Sequence, residues 1–169
     1  MSKNNVVILE GPRCSGKTTL ALLLAKDGFT YLRFEKQNEV PAIKFQRERI
    51  EEILRIPGNY VIDRFHLTEL VYRTYDGTTP FKQLIWNTHE INTLLKMIHA
   101  RIFVLLAPPD VLMQRVALAK RENDIHPLIS IPLWMMASAL DNVTMMHNED
   151  KWDMEKIRQY ILSKGKVKA

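Results

Sequence analysis

The sequence predicts an α/β fold in which a parallel sheet of four or five strands lies between two layers of helices. Short apolar, β-branched runs recur along the chain, helix-like segments separate them, and a glycine-rich turn joins the first run to the first helix. Alternation of strands with helices is typical of parallel sheets, because each parallel connection has to run back along the whole sheet. The length of 169 residues suits one domain covering 1–169.

The glycine-rich turn has the pattern of a phosphate-binding loop of the P-loop type. Residues 11–18 read GPRCSGKT, between an apolar run at 6–9 and a Leu- and Ala-rich segment at 19–25. The glycines let backbone N–H groups turn towards a polyphosphate, and the helix directs its positive end at the same anion. The pattern therefore predicts nucleotide binding by the loop residues Gly11, Pro12, Arg13, Cys14, Ser15, Gly16, Lys17, Thr18 and Thr19.

Four polar residues are expected to carry the chemistry. Lys17 can reach the terminal phosphates of a nucleotide, and the Thr18 hydroxyl is placed to ligate Mg²⁺. Asp63 and Arg64 come directly after the apolar run 60–62. Ligands of open parallel sheets lie beyond the carboxyl ends of the strands. We therefore expect Asp63 and Arg64 to lie beside the phosphate loop.

The remaining elements follow from periodicity and from glycine and proline signals. Further strands are predicted at 29–34, 60–62 and 101–106, and further helices at 41–55, 67–75, 81–98, 111–120 and 152–162.

Two predictions concern the less regular parts of the chain. The Met-rich segment 132–146 predicts a helix, and its end at 143–146 is also the candidate for a fifth strand. A charged stretch at about 119–127 predicts a short lid.

The helix 41–55 is expected to bury its apolar residues Ile43, Ile50, Ile53 and Leu54.

Composition indicates which ligands and which cellular compartment are expected for the protein. The formal net charge of +5 favours polyanionic ligands, although no Lys/Arg run is dense enough for a nucleic-acid arm. Cys14 is the sole cysteine, which excludes an internal disulfide and favours a reducing compartment. The five histidines lack metal-ligand spacing. No secretion signal or membrane-spanning run is recognisable, so a cytoplasmic protein without membrane partners is expected.

Two classes of phosphate-loop protein fit the chain poorly. A GTPase would carry a guanine-reading Asn-Lys-x-Asp, which is absent. A motor ATPase would place Asp or Asp-Glu after four apolar residues in a larger domain, whereas here Arg64 follows Asp63.

Several segments resemble the thymidylate kinase and deoxynucleoside kinase group, in order and approximate spacing over about three-quarters of the chain. They are ILEGPRCSGKTT at 8–19, VIDRF at 61–65 with Thr68 and Val71-Tyr72, and VLLAPPD at 104–110 with Arg115 and the basic pair Lys120-Arg121.

The resemblance implies an enzyme that transfers the γ-phosphoryl group of ATP, with Mg²⁺, to a nucleotide or nucleoside. A deoxynucleoside monophosphate is the first choice of acceptor. The implied catalytic residues are Lys17, Asp63, Arg64 and Arg121. Asp63 would serve Mg²⁺, directly or through water, or the acceptor, and Arg64 would grip the acceptor end or the transferring phosphoryl group.

The resemblance also implies residues that bind the acceptor and residues that bind the donor. Phe45 matches an aromatic that stacks on the acceptor base, Arg49 an arginine that holds its monophosphate, and Tyr72 an aromatic that lines its pocket. Arg115, Lys120 and Arg121 match lid cations that close over the donor phosphates. A homodimer would be usual for this group.

Other interpretations of these residues stay open. Asp63 and Arg64 also fit a strand-end ion pair, Phe45 a core residue, Arg49 a solvated helix face, and the basic pair a solvated loop.

One departure from the resembled kinases bears on the acceptor. Those kinases carry a loop carboxylate two residues after the first glycine, where this chain has Arg13; Glu10 precedes the loop. A kinase acting on a nucleic-acid hydroxyl or another small metabolite, or a nucleotide-binding switch, is therefore the alternative. Nucleic acid is the less favoured partner.

Overall fold

Strands and helices alternate along the residues that the computed structural model describes, which are 4–33, 42–77, 79–119, 130–139 and 143–165. The strands in these ranges are β1 (Asn5–Glu10), β2 (Thr30–Arg33), β3 (Asn59–Asp63), β4 (Arg101–Leu106) and β5 (Val143–His147). The helices are α1 (Lys17–Lys26), α2 (Ala42–Arg55), α3 (His66–Asp76), α4 (Phe81–Met97), α5 (Pro109–Leu118), α6 (Ile131–Ser138) and α7 (Lys151–Gly165).

The five strands form one parallel sheet in the order β2-β3-β1-β4-β5. The central strand β1 is buried on both faces: Val6 and Ile8 belong to one apolar cluster, and Val7 and Leu9 belong to the other. A strand buried on both faces needs a continuous apolar run rather than an alternating one, which is the pattern at 6–9.

Helices cover both faces of the sheet. The larger cluster contains Ile50 of α2, Leu70 of α3, Ile91 of α4 and Ala137 of α6. The smaller cluster contains residues of α1 and α7. The three-layer α/β architecture predicted from the sequence is therefore confirmed.

The parallel arrangement brings the carboxyl ends of the strands to one edge of the sheet. Two backbone hydrogen bonds continue the strand pairing past these ends: Arg64 N–H donates to the Leu9 oxygen at 2.9 Å, and Asn148 N–H donates to the Leu106 oxygen at 2.8 Å. Because β1 lies between β3 and β4 in the sheet, the phosphate loop after β1 lies between the segments that follow those two strands.

The predicted helix at 132–146 is wrong in its second half. Helix α6 ends at Ser138, and Val143–His147 is the fifth strand, paired with β4 from Ile102 to Leu106. Methionine is a good helix former, which favours a helix in this Met-rich segment. Pairing with β4, which supplies hydrogen-bond partners for the backbone of this segment, overrides that local preference.

The expected burial of Leu54 is also wrong. Ile50 and Ile53 are buried, whereas Leu54 is 56% exposed. Leu54 lies about 100° around the helix from Ile53 and one residue before the helix ends, so it falls at the margin of the buried stripe. The other predicted elements are confirmed with small shifts at their ends. No described helix combines the length and apolar composition that crossing a bilayer requires.

Candidate active site

Two glycines of the phosphate loop occupy positions that other residues fit poorly. Gly11 has a φ of 135° and Gly16 a φ of 99°. A Cβ on Gly11 would lie 2.2 Å from the Leu105 carbonyl oxygen, and a Cβ on Gly16 would lie 2.4 Å from Asn148 Nδ2. Helix α1 starts at Lys17, within the loop sequence, and its first N–H groups have no partner within the helix. The loop and the helix end together form a cradle that fits an anion.

Lys17 lies within the loop, with 4% of its surface exposed. Its Nζ donates to the carbonyl oxygens of Gly11, at 2.9 Å, and Pro12, at 2.7 Å. Burial lowers the pKa of Lys17 to about 8; the Arg64 guanidinium acts in the same direction, and the Asp63 carboxylate opposes it. Phosphate oxygens at this place would stabilise the charged ammonium.

The phosphate loop and the end of β3 meet through Thr18 and Asp63. Thr18 Oγ1 donates to Asp63 Oδ2 at 2.6 Å, and the Tyr31 hydroxyl of β2 donates to the same oxygen at 3.3 Å. Asp63 is fully buried, and its Oδ1 has no hydrogen-bond partner among the described residues. The two side chains that the sequence singled out are thus in contact.

A magnesium ion fits this pair of side chains. Mg²⁺ prefers oxygen ligands, and the Thr18 hydroxyl lies beside a buried carboxylate with one spare oxygen. The described residues hold no group of three or more His, Cys, Asp or Glu side chains that would form an all-protein metal site. A bound Mg²⁺ would complete its shell with phosphate oxygens and water, as is common for this ion.

Glu10 is fully buried where β1 meets the turn after β3. Its Oε1 accepts the N–H groups of Phe65, at 3.1 Å, and Leu67, at 2.9 Å, and its Oε2 accepts the Thr68 hydroxyl at 2.5 Å. Burial raises the pKa of Glu10 to about 7 against the opposing effect of these hydrogen bonds. The carboxylate is engaged by the start of α3, so it does not take the place of the loop carboxylate that Arg13 replaces.

A cavity of about 580 Å³ opens beside the loop. Arg115 of α5 donates to the Cys14 oxygen at 3.4 Å and to the Glu149 oxygen at 3.0 Å, so it links the loop to the segment after β5. Asn148 Nδ2 donates to the Ser15 oxygen at 2.7 Å. The described lining residues are Cys14, Gly16, Lys17, Thr18, Thr19, Arg64, Arg115, Asn148, Asp150 and Met154.

Arg13 contacts a second group of predicted residues. Its guanidinium lies over the Tyr72 ring, with Cζ 5.8 Å from the ring centroid. Burial raises the pKa of the Tyr72 hydroxyl, whereas the charges of Arg64 and Arg13 lower it, so both cations act on this hydroxyl. The other side of the contact is apolar, because Tyr72 packs edge-on against buried Trp134 at 6.4 Å between centroids.

Two further predicted residues, Phe45 and Arg49, do not line the loop cavity as described. Phe45 and Arg49 lie one turn apart on α2 and contact each other, with Arg49 Cζ 5.1 Å from the Phe45 ring, and Arg49 also pairs with Glu52. Neither is among the described residues that line the loop cavity. Lys120, Arg121 and the rest of the predicted lid after Ala119 lie outside the described residues.

Four residues at this edge escaped the sequence analysis: Tyr31, Asn148, Asp150 and Met154. Asn148 follows β5, and a firm assignment of that strand would have predicted a polar residue at its carboxyl end as part of the site. Tyr31 lies on β2 opposite Val61 of β3. Its contact with Asp63 depends on the register of two strands, which no local pattern reveals.

Comparison with known proteins finds likeness at the level of structure. No protein-family model matches the chain, and no curated protein sequence matches it significantly. YorR from Bacillus subtilis, crystallised in complex with phosphorylated GDP, has a TM-score of 0.75 at 19% identity over 94% of each chain. Thymidylate kinase from Ehrlichia chaffeensis has a TM-score of 0.51 at 14% identity, over 95% of this chain and 98% of its own. With the phosphate loop and strand order described above, the chain has a thymidylate-kinase-like P-loop nucleotide kinase fold.

Proposed function

We propose that the chain transfers the γ-phosphoryl group of ATP to a deoxynucleoside monophosphate. The observation that carries this proposal is the 2.6 Å hydrogen bond between Thr18 of the phosphate loop and Asp63 at the end of β3. It joins the loop that would bind the donor to the strand end that would bind the acceptor. In such a reaction the bond from the γ-phosphorus to the bridging oxygen breaks, a bond to an acceptor phosphate oxygen forms, and ADP leaves.

The residues at the loop supply positioning and positive charge. Backbone N–H groups of the loop and Lys17 would hold the donor phosphates, and Arg64 and Arg115 would add positive charge along the cavity that they line. Mg²⁺, when bound at Thr18 and Asp63, would neutralise part of the phosphate charge. Alignment of two anions is the main requirement of this chemistry, because little covalent assistance is needed.

The surroundings of Tyr72 favour a phosphorylated acceptor over a nucleoside. Where the resembled kinases carry a carboxylate, Arg13 places a second guanidinium close to the Tyr72 hydroxyl, in addition to Arg64. Two cations that act on the Tyr72 hydroxyl suit the dianion of a monophosphate ester. Stacking of the acceptor base on Phe45 and binding of its phosphate by Arg49 stay predictions, as do closure by Lys120 and Arg121, a homodimer and a cytoplasmic location.

A coupled assay of ADP release tests the proposal. The acceptors are the four common deoxynucleoside monophosphates, their nucleosides, and GMP, which is included because the YorR crystal holds a guanosine nucleotide. We expect one or more monophosphates to stimulate ADP release and the matching nucleosides to fail. Turnover stimulated by an oligonucleotide instead would support the nucleic-acid alternative. Tight ATP binding without stimulation by any acceptor would support a nucleotide-binding switch and overturn the proposal.

A further inference from the structure

The turn between β3 and α3 holds an arginine in a backbone conformation that arginine rarely adopts. Arg64 has a φ of 72°, in the left-handed region where the Cβ of an L-residue is crowded. Such conformations persist where the surrounding structure enforces them, and they are frequent at functional sites. Asp63 directly precedes Arg64, so the contacts that hold this turn also direct both side chains.

Glu10 holds the turn on the far side of Arg64. Its carboxylate accepts the N–H groups of Phe65, at 3.1 Å, and Leu67, at 2.9 Å, together with the Thr68 hydroxyl. On the near side, the N–H of Arg64 itself donates to the oxygen of Leu9, the neighbour of Glu10. The strand that leads into the phosphate loop is thus bonded to the turn on both sides of Arg64.

We infer that Glu10 is a positioning residue for phosphoryl transfer, which fixes the β3–α3 turn so that Asp63 and Arg64 stay directed at the phosphate loop. This inference rests on the proposed function. Arg64 lines the loop cavity and Asp63 contacts Thr18, whereas Glu10 is not among the described residues that line the cavity. Glu10 therefore acts on the reaction through the turn.

The surroundings of Glu10 distinguish this role from packing. The side chain is fully buried, and removal of a carboxylate from water is unfavourable, as its raised pKa reflects. Its charged or titratable neighbours are Lys17, Tyr72 and His66, whose Nδ1 lies 3.8 Å from Glu10 Oε1. An apolar side chain would fill the same space without that penalty, but it would leave the N–H groups of Phe65 and Leu67 without their acceptor.

Three variants of the full chain test the inference. Glu10→Ala removes the acceptor, whereas Glu10→Gln keeps an amide oxygen for both N–H groups, and the Thr68 hydroxyl can accept from the new amide. Arg101→Met is the control for lost stability. Arg101 is the first residue of β4, at the end of the strand away from the phosphate loop, and it donates to Asn5 Oδ1 and to the Ile161 oxygen. The measurements are kcat, the KM for ATP and for the best acceptor, thermal unfolding, and hydrogen exchange of Phe65 and Leu67.

We expect Glu10→Ala to lower kcat roughly 100-fold, because misplaced reacting groups lose alignment. The KM for ATP should stay within about threefold, since the loop itself is intact. Glu10→Gln should recover most of the activity and of the protection of the two N–H groups. Arg101→Met should lower the unfolding temperature without changing kcat well below that temperature.

Two failures of this experiment have different meanings. A wild-type chain without acceptor-dependent turnover overturns the proposed function and this inference with it. An active wild type together with a Glu10→Ala variant that keeps its kcat, or that loses activity only in proportion to its stability as Arg101→Met does, overturns the positioning role alone.

Discussion

At the scale of single residues, replacement of Lys17 is expected to lower the activity most directly. Its buried ammonium bridges two loop carbonyls and would meet the donor phosphates. Lys17→Ala should lower kcat/KM by on the order of 100-fold or more, as loss of one preorganised donor does elsewhere. Lys26→Ala, at the exposed end of the same helix, is the matched control. Near-normal turnover of Lys17→Ala with a native melting curve would contradict the assignment of the loop.

Arg13 should affect the acceptor rather than the donor. Its guanidinium lies over Tyr72. If Arg13 and Arg64 share the phosphate of the acceptor, Arg13→Ala should raise the KM for the monophosphate about tenfold or more and change the KM for ATP little. Arg55→Ala, at an exposed site on α2, removes the same charge elsewhere. Equal increases in both KM values would indicate that Arg13 acts through the structure of the loop rather than on the acceptor.

At the scale of elements, an ion pair fastens the last helix to the end of the first. Arg158 of α7 donates through Nε to Asp27 Oδ2 at 2.7 Å and through Nη2 to Asp27 Oδ1, a bidentate pair beyond the end of α1. The hydrogen bonds from Arg158 hold the pKa of Asp27 below its usual value. Since the folded pKa is the lower one, the stabilisation is complete above the unfolded pKa of about 4 and is lost as the pH falls through the folded pKa.

The expected effect of breaking this pair is small and depends on pH. Asp27→Asn should lower the free energy of unfolding by about 1 kcal/mol at pH 7, and the difference from wild type should shrink below about pH 4. Urea unfolding at both pH values measures it. Glu155→Gln, which removes the exposed second partner of Arg158, should change less. A difference that persists undiminished at acid pH would exclude an ionic origin.

The elements also differ in how far the sequence reveals them. Strands β1 and β4 are predicted well, because burial on both faces requires an unbroken apolar run. Strand β5 lies at the edge of the sheet, and its five residues are half-buried or exposed, so it needs no continuous apolar run and its sequence carries little strand signal. Asn148 was missed for the same reason.

At the scale of the whole molecule, a bound nucleotide should raise the melting temperature. A ligand that binds the folded state at 100 times its Kd adds about 2.7 kcal/mol, or roughly 5–10 °C for a chain of this size. Differential scanning fluorimetry with ATP and Mg²⁺ measures the shift, which should be smaller with EDTA and small or absent in Lys17→Ala. An equal shift in that variant would locate nucleotide binding elsewhere.

The candidate site divides into parts that the sequence predicts and parts that need the assembled fold. The phosphate loop is contiguous, so its composition alone predicts it. The meeting of Thr18 with Asp63 follows from a general rule on the carboxyl ends of parallel strands. The contacts of Glu10 with the start of α3 join residues 55 to 58 positions apart, and no pattern in the chain predicts them.

The hydrogen bond between Asn148 and the Ser15 carbonyl has a consequence for biosynthesis. It joins residues 133 positions apart, so the ribosome adds Asn148 roughly 7–27 s after Ser15 at ordinary elongation rates. Throughout that interval the nascent chain carries a glycine-rich loop without the contact that braces it. The contact can therefore form only well after the loop itself has been made, and a ribosome that stalls before it adds Asn148 leaves a chain whose loop lacks this brace.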